Sequence, residues 1–150
     1  MPARPADLAR CLRPLSGIVG WSDYCCGKLD DAIDALQAHL NLDPDDGRGW
    51  ELLGLALRDV GKPLQAADAF ERASLLCSLQ SLSRLCLAEC YAVLKRHQLA
   101  KELYLLQAEE LADDPQFLLL IASGLDGIDQ PQMSLGLCRR AAGLEPELGQ

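Results

Sequence analysis

The stretch Trp50 to Ala73 reads WELLGLALRDVGKPLQAADAFERA, and its small residues decide the fold. Gly54 belongs to a column that returns every 34 residues as Gly20, Gly54, Ala88 and Ala122. One residue earlier stand Val19, Leu53, Leu87 and Ile121, all apolar. Ala32, Ala66, Ala100 and Ser134 form a second small column. Leu36, Phe70, Tyr104 and Cys138 follow four residues later, large or apolar throughout. Self-similarity at a fixed period of this length marks a stacked repeat array. Four units, 13–46, 47–80, 81–114 and 115–148, tile the 150-residue chain without an insertion and leave 1–12 as a lead-in.

Each unit reads as two amphipathic helices joined by a turn at Gly27, Gly61, Lys95 or Asp129. Glycine at a helix end takes the left-handed conformation at little cost. Spacings such as Leu53, Leu57 and Val60, or Leu64, Ala67, Phe70 and Ala73, fit a period near 3.6 rather than strand alternation. Gly54 and Ala66 place no bulk between the two helices of their unit, and Trp50, Leu53, Leu57 and Phe70 fill the space around that contact. A single helix pair cannot bury its whole apolar surface, so neighbours must stack. The expectation is an all-α chain with turns near 26–29, 60–63, 95–98 and 127–131. Asp23, in the column of Leu57, Tyr91 and Leu125, makes the first helix of the first unit its weakest element.

The second unit, with Trp50, Leu53-Gly54, Leu57, Gly61, Ala66, Phe70 and Ala73, resembles a tetratricopeptide repeat, whose pattern runs W-x2-L-G-x2-Y, A-x3-F, P. Leu57 stands where Tyr is usual and Ser78 where Pro is usual. The third unit supplies Tyr91 after Leu87-Ala88, the fourth Ile121-Ala122, Ala141 and Pro146, and the first fits mainly from Gly27 to Pro44. The resemblance implies a right-handed superhelical solenoid of about four helix-turn-helix repeats forming one domain over 1–150. It also implies a module that binds other proteins.

Composition agrees with a globular helical chain rich in Leu and Ala, strong helix formers. No apolar run approaches the roughly 18 residues of a membrane span. Met1 to Leu15 carries Arg4, Arg10 and Arg13 without a continuous apolar segment, so it does not read as a signal peptide. Pro5 to Leu12 instead reads as a short lead-in helix, with Leu8, Cys11 and Leu12 laid on the first unit. A net charge of −8 with no Lys/Arg cluster argues against nucleic acid. The seven cysteines are odd in number and scattered mostly through helical patterns, which suits reduced thiols used as small hydrophobes in the cytoplasm. Cys86 and Cys90 lie four apart on one face, but a zinc site needs more ligands than they and His97 supply. No metal or cofactor is expected.

Catalysis finds no constellation. His39 is read as packing or capping at the end of a helix and His97 as lying in a turn, with no nucleophile–base pair in sight. The carboxylate runs Asp30-Asp31, Asp43-Asp45-Asp46 and Asp113-Asp114 fall at helix ends, where capping is their natural role. Gly47-x-Gly49 has no strand before it and no third glycine, so it is no nucleotide loop.

Function therefore rests on a surface. In arrays that resemble this one, the first helices of successive units line a concave groove. Helical phase places Trp21 and Tyr24 of unit one there, with Arg48, Glu51, Leu55 and Arg58 of unit two. Unit three adds Leu85 and Glu89 beside Leu82, and unit four adds Leu119 and Ser123 beside Gln116. On this reading Trp21, Leu55 and Leu85 carry partner binding without carrying the fold, and charge changes at Glu51 or Arg58 act on association rates more than on stability. The positions matching the carboxylate-holding residues of chaperone-binding tetratricopeptide modules are Gly17, Trp21, Leu52, Leu82 and Cys86, none of which offers a charge. An apolar or amphipathic segment fits better.

The expected role is an adaptor that docks a peptide or helix of a partner protein. The alternative is a small acidic chaperone similar to those of type III secretion, although their helical lead-in is longer than Met1 to Leu15. The helix around Gln132 to Leu144 carries Met133, Leu135, Leu137, Cys138 and Leu144, more than one buried face needs. Arrays of this kind commonly end in a polar capping helix, and here Pro146 is followed by four residues. The expectation is that a second copy covers this end, or that the next helix of a longer protein does.

Overall fold

In the computed structural model, the described residues are Leu15 and 17–144. The lead-in helix expected over Pro5 to Leu12 lies outside them, as does Pro146. Among the described residues eight helices follow in order: α1 Trp21–Cys25, α2 Leu29–Leu42, α3 Gly47–Asp59, α4 Pro63–Leu76, α5 Ser81–Val93, α6 His97–Glu110, α7 Pro115–Gly127 and α8 Pro131–Leu144. The described residues contain no strand. The chain is an all-α helical-repeat protein of four helix-turn-helix units. The regularity is close: α3, α5 and α7 have 13 residues each, and α2, α4, α6 and α8 have 14.

Two compact units divide the chain, Met1–Cys90 and Tyr91–Gln150. In the first, α2 packs on α1 and α3, and α3 packs most extensively on α4. Gly54 explains that approach. A Cβ there would sit 2.8 Å from the ring of Phe70, which is itself fully buried. The same arrangement recurs one repeat earlier, where a Cβ on Gly20 would lie 3.2 Å from Leu36 Cγ. In the second unit α7 packs on α6 and α8. Here the buried Tyr104 ring reaches the backbone of Gly124, and a side chain at that position would overlap its hydroxyl end.

The first repeat departs from the others. Gly20 is left-handed at φ 88° and begins α1, which runs for 5 residues and buries none of them. Val19, in the column of the buried Leu53, Leu87 and Ile121, is half exposed. Asp23 in the column of Leu57, Tyr91 and Leu125 accounts for this, because a carboxylate cannot enter the apolar contact that those residues make.

The turns follow the repeat step. Gly27, Gly61, Lys95 and Asp129, each 34 residues after the last, have φ of 78°, 85°, 66° and 60°. In each turn an amide reaches back into the preceding helix, as with Lys62 N to Leu57 O at 2.9 Å and Arg96 N to Tyr91 O at 2.8 Å. Left-handed backbone is strained for a residue with a Cβ. Lys95→Gly should therefore stabilise the protein by about 0.5–1 kcal/mol, and Gly61→Ala, which meets no steric neighbour, should cost about 1 kcal/mol. Urea midpoints at constant slope test both. Opposite signs are expected, and equal signs would show that the turn conformation is not held in solution.

Two of the acidic runs cap helix starts, whereas Asp30 and Asp31 lie in the first turn of α2, whose N-cap Lys28 makes no side-chain capping bond. Asp46 Oδ1 accepts from Gly49 N at 3.2 Å, and Asp114 Oδ1 accepts from Gln116 N at 3.1 Å and Phe117 N at 3.3 Å. The repeat position between them is Gln80, which is served differently.

Candidate functional site

The residues expected to line a groove separate into exposed and buried sets. On α1, Trp21 and Tyr24 are half-buried, with ring centroids 6.0 Å apart and planes tilted by 34°. Gly20 precedes this short helix and Gly27 follows it, both with left-handed backbone. On α3, Arg48 and Arg58 are half-buried, and Glu89 of α5 lies partly open opposite Arg58. Arg58 Nε donates to Glu89 Oε2 at 3.0 Å, a second nitrogen reaches the same oxygen, and Nη1 bonds Asp59 Oδ1 at 2.9 Å. The pair ties α3 to α5 within the first unit. On α7, in the second unit, Leu119 is 43% exposed and Ser123 is exposed.

Glu51, Leu55 and Leu85 are not part of that surface. Leu55 and Glu51 are completely buried and Leu85 nearly so. The physical reason is visible in α3, where every residue from Glu51 to Leu57 is buried. This helix is enclosed on several sides, so a phase that points away from its hairpin partner does not point to water.

Glu51 is instead a structural carboxylate. Its Oε1 accepts from Arg48 Nη1 at 2.9 Å and its Oε2 from the backbone N of Gln80 at 2.9 Å. Arg48 Nη1 also donates to Ser78 O at 2.8 Å. The two side chains thus clamp the link between α4 and α5, with Glu51 accepting from the Gln80 amide just before α5 begins. Sequence reasoning missed this. The signal was Gln80, which stands at the repeat position where Asp46 and Asp114 cap their helices.

Three of the five positions matching a carboxylate clamp, Leu52, Leu82 and Cys86, are buried. Cys86 and Cys90 serve as core residues, and burial pushes the Cys90 thiol up to about 11, against the pull of Arg58. Cys25 and Cys26 differ from the small-hydrophobe expectation: both are exposed at the end of α1. Burial and the neighbouring Cys26 raise the Cys25 thiol, which favours its protonated form.

Trp50 is only half-buried. Its Nε1 donates to Pro44 O at 2.8 Å, and the Arg72 guanidinium lies over its ring at 4.9 Å. Together with Gln37, Gln65 and Asp68 they border an open groove of about 250 Å³ between α2 and α4. His39 shares a 2.8 Å hydrogen bond with Asp46 Oδ2, which fits its expected packing role. Asp43 joins them, one ligand atom from each lying within 4.8 Å of the others, although both Asp46 oxygens are already engaged. His97 opens α6 rather than lying in the turn. No helix among the described residues is long and apolar enough to cross a membrane.

Comparison with known proteins places the fold. A crystal structure of MamA superposes with a TM-score of 0.72 at 16% identity, covering 85% of this chain and 74% of that one. MamA 41-end from Desulfovibrio magneticus RS-1 gives 0.73 at 18%, covering 91% and 77%. A MamA AMB-1 structure gives 0.70 at 16%, covering 94% and 86%. At this identity the likeness speaks for shared architecture, a run of helical hairpins. No protein-family model matches the chain, and no curated protein matches it.

Proposed function

We propose that the chain is a tetratricopeptide-type interaction module that holds a peptide or short helix of another protein. The observation that carries this reading is the Trp21–Tyr24 pair on a helix with no buried residue. Aromatic side chains that the core does not need are the usual anchors of a protein interface. Leu119 and Ser123 offer a smaller apolar patch with a polar edge on α7. Arg48, Arg58 and Glu89 are engaged in ion pairs and supply orientation at the rim rather than anchoring. With buried apolar residues at the clamp positions and a net charge of −8, the favoured ligand is an amphipathic segment carrying basic residues, not a free C-terminal carboxylate.

The test is a triple variant, Trp21→Asp, Tyr24→Asp and Leu119→Asp, compared with the native chain for capture of its partner from lysate. Capture should weaken at least about tenfold, the loss typical of removing interface anchors, while helical circular dichroism stays intact. Undiminished capture by the folded variant would overturn the assignment of these residues to partner binding.

A further inference from the structure

The repeats provide an internal control for what each surface residue is needed for, and α6 fails to match its siblings on one face. Leu99, Leu103 and Leu106 recur at steps of four and three, the spacing of a coiled-coil seam. Leu99 is 46% and Leu106 49% exposed, with Leu103 half-buried between them. In the other repeats the first of these positions holds Asp31, Gln65 or Met133, the second Ala35, Ala69 or Leu137, and the third Ala38, Arg72 or Arg140. No other repeat places a large apolar residue at all three. The helix packs inward through the neighbouring flank of Ala100, Tyr104, Gln107 and Ala108 and leaves Leu99 and Leu106 about half open.

Charge along the same helix is polarised. Lys95 and Arg96 stand at its start, and Glu109, Glu110 and Asp113 at its end. We propose that α6 is a self-association surface on which two copies of this chain pair antiparallel through Leu99, Leu103 and Leu106. Antiparallel pairing sets Leu103 of one copy against Leu106 of the other and Leu99 against the stem of Glu110. It brings the basic start of each helix to the acidic end of its mate. Parallel pairing would place like charge on like charge at both ends, which costs rather than stabilises. A second copy is the occupant that presents both complementary ends at the right separation. This contact uses none of the residues assigned to partner binding and goes beyond that reading.

Sedimentation equilibrium tests it. One helix pair is a small interface, so association belongs in a window from about 10 µM to about 1 mM, and added salt should weaken it. Leu99→Gln with Leu106→Arg installs residues that the second repeat carries at these positions, Gln65 and Arg72, so the fold should persist with an unchanged melting curve. That variant should associate at least tenfold more weakly. Arg96→Glu and Asp113→Lys, at positions that this register sets opposite each other, should each weaken association alone, and mixing the two variants should restore it between unlike chains. A native chain that stays monomeric over the whole range overturns the proposal, as does equal association by the double variant. Lack of restoration in the mixture overturns the antiparallel arrangement. Partner capture by the double variant should remain at native level, which keeps this result independent of the proposed function.

Discussion

Leu55→Asp combined with Leu85→Asp should unfold the unit that ends at Cys90, rather than silence a binding surface on an intact scaffold. Both leucines are sealed from water, one on α3 and one on α5. An aspartate in either place must bury an unpaired carboxylate or push the helices apart, and each substitution should cost more than about 4 kcal/mol. Two such losses approach or exceed the roughly 5–15 kcal/mol that holds a domain folded. Far-ultraviolet circular dichroism at 25 °C reads the outcome directly. A large loss of helical signal is expected, in contrast to substitutions at Trp21 and Tyr24. Retention of full helicity together with lost partner capture would instead restore Leu55 and Leu85 to a binding groove.

Glu51→Ala should destabilise the same unit by about 2–3 kcal/mol. The substitution strips the Gln80 amide of the Glu51 acceptor and removes the carboxylate that Arg48 Nη1 meets. A hydrogen bond to a charged group is worth about 1.5–3 kcal/mol, and breaking a buried ion pair costs more. Arg48 is a third exposed and can recover water, which keeps the loss below the upper end of that range. Glu51→Gln retains one acceptor and should lose less. Denaturant midpoints measure both, and limited proteolysis should find new cleavage at 77–80 in the alanine variant. A midpoint unchanged within about 0.5 kcal/mol would show that the clamp is not formed in solution.

These two results bear on what the sequence could reveal. Close approach at Gly54, the left-handed turns at Gly27, Gly61, Lys95 and Asp129, and the caps at Asp46 and Asp114 were all legible. Glycine and aspartate suit those local geometries, whereas the turn at Lys95 was placed by the 34-residue step alone. The surface was less legible because helical phase supplies a single inward direction. A helix of a stacked array meets its hairpin mate on one side and a neighbouring repeat on another, so α3 is buried from Glu51 to Leu57. On a short, poorly enclosed helix the same phase argument left Trp21 and Tyr24 half-open. Glu51 was misread for a related reason. Charge at helical spacing was taken for solvent exposure, whereas one of its partners, the Gln80 amide, comes from 29 residues further along, across a link whose geometry no local pattern encodes.

The three-residue turns have a consequence for how the chain acquires its shape. Gly54 and Phe70, whose contact defines the α3–α4 pair, are separated by only 16 positions along the chain. Contact order is correspondingly low, and chains of that kind reach their native state quickly because little loop entropy is lost before contacts form. Synthesis from the amino terminus would deliver each hairpin complete before the next has emerged. Within the first unit, α3 and α4 can close as soon as about 30 residues beyond Asp46 are available, and α5 can add to a face that already exists. The array grows by accretion, and its most regular repeat offers the template.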